Sequence, residues 1–155
     1  MLRLSLFSAV AALALLAAPF ASPASAGQKN SAPTTQTATS SGFALFGSAN
    51  ALSLNTNQVD QLNVRSGGKK IYQDNYAPTH QSAHSSAFAI GGDADATSVN
   101  TNLIQQENDA FGGKKLHQSN SAPTTQSATS TAVSIGGDAN ATSANANGVS
   151  QGNFR

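Results

Sequence analysis

From Gln28 onward the chain repeats itself every 45 residues, and this period limits the available folds more than any other feature. Gln28, Gln73 and Gln118 open three copies, spanning 28–72, 73–117 and 118–155. The same spacing relates Gly47, Gly92 and Gly137. Repeats of this length build solenoids, propellers or arrays, in which each unit buries its faces against its neighbours. No apolar stripe recurs at helical spacing. What recurs is alternation: Gln118, Asn120, Ala122, Thr124, Gln126 and Ala128 share one phase, and Val133, Ile135, Gly137, Ala139, Ala141, Ser143, Asn145 and Asn147 share the other. Residues between them vary more from copy to copy. Period-two constraint marks an extended strand with one fixed face and one free face. Simple duplication of a low-complexity segment would preserve both phases equally.

The constrained phase is unusual in being amide-rich. Stacked coils place equivalent residues about 4.8 Å apart. Asn then lies over Asn and Gln over Gln, so buried amides find partners in the adjacent copy. The expected fold is all-β, a solenoid of strand–turn–strand coils, with a partly disordered monomer compatible with the composition. The expected ladder is Asn30, Gln36, Asn55, Gln61, Asn75, Gln81, Asn100, Gln106, Asn120, Gln126, Asn145 and Gln151. The expected apolar rungs packing the coil are Phe43, Leu45, Phe88, Ile90, Val133 and Ile135. Each copy also contains two half-units of the form Asn-x-[Ala/Asn]-x-x-x-Gln, starting 25 and then 20 residues apart, as at Asn30, Asn55 and Asn75. Read as one coil each, they predict six coils.

Composition removes several function classes. Only 10% of residues are charged, and there is no Cys. A disulfide scaffold is therefore excluded. Eight Lys+Arg against seven Asp+Glu give a net charge of +1, too little to neutralise a nucleic-acid backbone. Residues 1–26 read as a secretory signal: Arg3 is the basic region, an apolar stretch follows, and Ala24-Ser25-Ala26 is the cleavage site. Loss of Arg3 with this leader would bring the net charge to zero. No later segment is long and apolar enough for a helical span, so no membrane span is expected after cleavage.

The half-unit motif, six times in register behind a signal peptide, resembles the curlin family, the secreted subunits of curli-type functional amyloid. The matching residues are Asn30/Ala32/Gln36, Asn75/Ala77/Gln81 and Asn120/Ala122/Gln126; Asn57, Asn102 and Asn147 replace Ala in the other half-units. The resemblance implies a strand–turn–strand coil, a homopolymeric fibre on the cell surface, a nucleating partner subunit and export through an outer-membrane pore. Two departures stand out. The Gly-x-Gly that precedes Asn in curlins is absent, and Pro33, Pro78 and Pro123 lie inside the motif. Proline removes a ladder donor, so these residues are read either as coil corners or as gatekeepers against premature aggregation.

Other chemistry is sparse. His80 and His84 share a strand phase, but Thr occupies the equivalent places in the other copies and no third metal ligand accompanies them. Asp93 and Asp95 after Gly91-Gly92 form only part of a calcium-binding repeat. The Gly-Gly-Lys-Lys segments starting at Gly67 and Gly112 lack the phosphate-loop frame and read as charged turns. No nucleophile–base set or carboxylate pair emerges, so no enzyme, cofactor or metal site is expected. The leading expectation is an exported structural subunit that adds end to end into fibres for adhesion and biofilm matrix. The rivals are a monomeric solenoid presenting a Thr34/Thr79/Thr124 row to ice or polysaccharide, and a disordered exported spacer.

Overall fold

The computed structural model describes residues 27–68, 70–112 and 115–155. The expected signal segment, with Lys69, Gly113 and Lys114 of the charged turns, lies outside the described residues. Each copy contributes three strands. The first gives β1 (Gly27–Ser31), β2 (Thr34–Leu45) and β3 (Ala49–Ser66). The second gives β4 (Lys70–Tyr76), β5 (Thr79–Ile90) and β6 (Ala94–Phe111), and the third gives β7 (Lys115–Ser121), β8 (Thr124–Ile135) and β9 (Ala139–Phe154). They form three parallel sheets, ordered β1-β4-β7, β2-β5-β8 and β3-β6-β9. Register holds at the repeat period throughout: Gln28 pairs with Gln73, Gln36 with Gln81, Asn55 with Asn100, and each of these with its third-copy equivalent. The protein is a β-solenoid.

A copy makes one coil, not two. Its first two strands form an outgoing arm and its third strand a returning arm, and the arms face each other. Asn30 Nδ2 donates to the Leu62 carbonyl across the gap at 3.3 Å, and Gln36 Nε2 to the Thr56 carbonyl at 2.9 Å. Ser40 Oγ and Ser53 Oγ lie 3.0 Å apart. The six expected coils are therefore three, and the two half-units of a copy are opposite walls of one coil. Both halves carry the same motif because both line the same interior.

The prolines are not corners. Inward and outward positions alternate without a break from Asn30 through Thr34, and Pro33 sits outward. The backbone ladder continues on either side, with Ala32 N–H donating to Tyr76 O and Thr34 N–H to Pro78 O, both at 2.9 Å. A strand residue's N–H and C=O point the same way, so Pro78 costs one ladder bond toward the first copy and nothing inside.

The reversal comes instead after Leu45, Ile90 and Ile135. Here Gly91 and Gly136 take φ of 70° and 84°, while the first copy puts Phe46 in that role at φ 56°. A bulky residue in this left-handed region is strained, and Phe46 is 84% exposed, so burial does not offset it. Phe46→Gly is expected to stabilise the fold by about 1 kcal/mol. A thermal melt of the purified chain should show a rise of roughly 3–5 °C.

The interior is thin and mostly polar. Ala44, Ala49, Ala51, Ala87, Ala89, Ala94 and Ala96 cluster beside that turn. Ala32, Val59, Ala77 and Ile104 form a second cluster near the middle of the coil. The expected apolar rungs are not part of either. Alternation runs unbroken through β2, which puts Ala44 inward and Phe43 and Leu45 outward at 54% and 49% exposure. Val133 and Ile135 are likewise exposed, and Phe88 and Ile90 are half-buried on the same outer surface. The phase changes at the turn, not before Phe43, because only the turn breaks the strand. Phe43 and Phe88 stack outside, with ring centroids 5.6 Å apart.

Candidate functional site: amide ladders through the stack

All twelve expected ladder residues point into the coil, and each meets its equivalent one repeat away. Gln81 Nε2 donates to Gln36 Oε1 at 2.7 Å, and Gln126 Nε2 to Gln81 Oε1 at 2.8 Å. Gln106 and Gln151 continue the column from Gln61, both steps at 2.7 Å. Asn30, Asn75 and Asn120 form a column with 3.0 Å steps, and Asn55, Asn100 and Asn145 one with 2.9 Å steps.

Three further columns belong with them. Gln28, Gln73 and Gln118 are linked at 3.0 and 2.9 Å. Asn57, Asn102 and Asn147 are linked at 2.7 and 2.8 Å. Asn63, Asn108 and Asn153 are linked at 2.9 Å in both steps. The signal for the last column was present in the sequence, as three Asn at the repeat spacing in the phase of Asn55, but no half-unit motif includes them. A hydroxyl seam adds to the interior: Ser85 Oγ lies 2.8 Å from Ser98 Oγ and donates to Ser130 Oγ at 3.2 Å.

The columns have direction. In every Gln column the later copy donates to the earlier one. In every Asn column the earlier copy donates to the later one. Outside the Asn57/Asn102/Asn147 column, where the second proton goes to a Thr hydroxyl, amide orientation is set by a second proton donated to a backbone carbonyl that can only accept. Gln73 Nε2 also donates to Asn63 O and Asp109 O, at 3.0 and 2.8 Å. Asn100 Nδ2 also donates to Ser127 O, at 2.6 Å. Among the described residues, none of the buried ones is charged.

The remaining candidates lie elsewhere. Thr34 and Thr79 are buried, so the Thr34/Thr79/Thr124 row is an interior column and cannot present a binding face. The outward columns on β2, β5 and β8 include Thr37/Ser82/Ser127, all hydroxyl-bearing, and Thr35/His80/Thr125 and Thr39/His84/Thr129, in which histidine interrupts the hydroxyls. His80 and His84 share this outer face, but four residues along a strand separate them by about 13 Å, too far for one metal ion. Asp93 Oδ1 accepts from Asp138 N at 3.0 Å and Asp95 Oδ1 from Asn140 Nδ2 at 2.9 Å, so both carboxylates tie neighbouring copies together. Among the described residues, no three His, Cys, Asp or Glu gather as a metal site.

Among the described residues the coil stack has two ends. β1, β2 and β3 are edge strands on one side, and β7, β8 and β9 on the other. At the third copy the inner residues are exposed or half-buried, whereas nearly all of those in the first and middle copies are buried. Compared with protein-family models, curated proteins and solved structures, the chain matches none of them.

Proposed function

We propose that this chain is an exported structural subunit that self-assembles into amyloid-like extracellular fibres, contributing to adhesion and biofilm matrix in the manner of curlins. The observation that carries the reading is the in-register parallel stack, whose seven amide columns run out at the exposed interior of the third copy. An edge strand presents unpaired N–H and C=O groups and is a template for another chain. An edge that also ends a set of amide columns offers side-chain bonds as well, as in cross-β assemblies. A translation by whole coils does not close on itself, so addition continues into a filament. A nucleating subunit and an outer-membrane pore belong to this reading through the resemblance alone. A purified sample incubated without stirring is expected to give unbranched fibres with reflections near 4.8 and 10 Å. A monodisperse solution under the same conditions would overturn the reading.

The outward Thr/Ser columns favour one second reading, a monomeric module that lays this ruled hydroxyl face on a polysaccharide or on ice. It predicts a soluble, cooperatively melting monomer that is retained on the ligand surface. Replacing Thr37 and Thr39 with bulky residues would then abolish retention.

A further inference from the structure

The two apolar columns on the outer surface play no part in closing the coil. Phe43/Phe88/Val133 and Leu45/Ile90/Ile135 lie side by side on the β2-β5-β8 sheet, at its turn end. The other outward positions of this sheet change residue between copies, yet both columns keep a large apolar side chain at every step. Phe46 follows at the turn. A Cβ on Gly91 would meet its Cδ1 at 3.4 Å, so its ring reaches the next copy at the rim of the patch. Together these side chains expose on the order of 600 Å², as much as the largest patch on a typical monomer. On the opposite wall, exposed Leu62 and Val64 are followed in the second copy by Glu107 and Asp109, so charge interrupts those columns.

Charge is distributed so as to leave this face bare. β2, β5 and β8 contain no Asp, Glu, Lys or Arg. β3 and β6 carry Asp60, Asp95, Glu107 and Asp109, and the short strands carry Lys29, Lys70, Asp74 and Lys115. The charges that keep apolar strands from sticking to one another therefore lie on other strands.

We propose that the outer β2-β5-β8 face is a lateral interface between two copies of this chain, packed face to face about a two-fold axis. The contact goes beyond end addition, since it joins the sides of two solenoids. A charged partner would leave its charge desolvated against an uncharged apolar surface. A second copy brings the same uncharged columns, as an isologous contact requires. Two such patches would remove roughly 1,200 Å² from water, the lower limit for a stable interface. The flanking Ser41/Ser86/Thr131 column adds polar area beside them. Sheets pack in this way about 10 Å apart with strand directions within about 30°. In a fibre the columns run along the axis, so the same contact would pair two filaments along their length.

Phe46 acquires a role in this contact. Its left-handed backbone costs stability in the lone chain, and strain of this kind persists where it serves function. Phe46→Gly is expected to raise the melting temperature and at the same time to weaken pairing. A residue of purely structural value would not move the two in opposite directions. Because this variant is the more stable one, its weaker pairing cannot come from unfolding.

Sedimentation equilibrium of the freshly purified chain, over roughly 1–100 μM, is expected to show a monomer–dimer equilibrium. Leu45→Lys with Ile135→Lys puts charge on the face without entering the coil, and is expected to weaken the dimer at least roughly 100-fold. Phe46→Gly is expected to weaken it about 10-fold. Gln58→Lys, exposed on β3, brings charge to the other wall and is expected to leave the dimer unchanged. A wild-type chain that stays monomeric at the top of this range would overturn the proposal, and its capture by phosphatidylcholine vesicles would assign the face to a lipid surface instead. A double-lysine chain that dimerises like the wild type would overturn it as well. Fibre formation by either chain is read separately and bears only on end addition.

Discussion

Asn100→Asp is expected to abolish cooperative folding at neutral pH and to restore much of it in acid. Asn100 is fully buried in the middle coil. Its Oδ1 accepts from Asn55 Nδ2 at 2.9 Å, and its Nδ2 donates to Ser127 O at 2.6 Å and Asn145 Oδ1 at 2.9 Å. A carboxylate keeps the first bond and turns an oxygen toward two other oxygens. Leaving a charge uncompensated in such a place costs about 3–5 kcal/mol, a large share of the 5–15 kcal/mol typical of whole domains. The pH dependence follows from burial. Desolvation and the facing oxygens raise the folded-state pKa of the new carboxyl above its unfolded value of about 3.9. Between the two values the native state holds more protons, so stability falls as pH rises through that window. Below it the protonated acid donates one of the lost bonds. Urea unfolding at pH 3, 5 and 7 checks this, with Thr37→Asp on the outer face expected to stay within about 0.5 kcal/mol of wild type. An Asn100→Asp chain as stable as wild type at pH 7 would sink the idea of a closed amide interior.

Gly92→Ala is expected to destabilise the stack by about 3 kcal/mol, the upper part of the range for overpacking. The new Cβ would stand 2.5 Å from the Gly47 carbonyl carbon and closer still to its oxygen. Both are backbone atoms, so no side chain can rotate away, and the coils must separate locally. Gly67→Ala separates this effect from simple loss of glycine. Its φ is 72° and a Cβ there meets nothing within 4 Å, so only the conformational term of about 1 kcal/mol applies. Thermal melts of the two variants should differ accordingly, and equal midpoints would remove the close approach as the reason for the Gly47/Gly92/Gly137 column.

How much of this was legible from residues alone depends on the direction considered. Along the stack nearly everything was. Gln36, Gln81 and Gln126 are equivalent by sequence, and parallel in-register pairing is the arrangement that satisfies such equivalence with a single spacing. Across the coil much less was. The motif at Asn30–Gln36 recurs at Asn55–Gln61 whether the two segments lie one above the other or face each other, because either arrangement demands the same inner residues. The large apolar residues misled for a related reason. Phe43 and Leu45 look like core, yet large apolar side chains are common on protein surfaces. Strand parity, with Ala44 inward, settles their side.

Period, register and interior chemistry can be read from the residues, because covalent repetition dictates what lies over what. That 45 residues make one coil, that the arms close on each other, and that Asn and Gln columns run in opposite senses emerges only from the folded chain. Closure depends on where the chain reverses, which positive-φ residues such as Phe46, Gly91 and Gly136 set locally. Amide direction depends on which facing carbonyl takes the second proton, and that carbonyl is found only once the two arms have met.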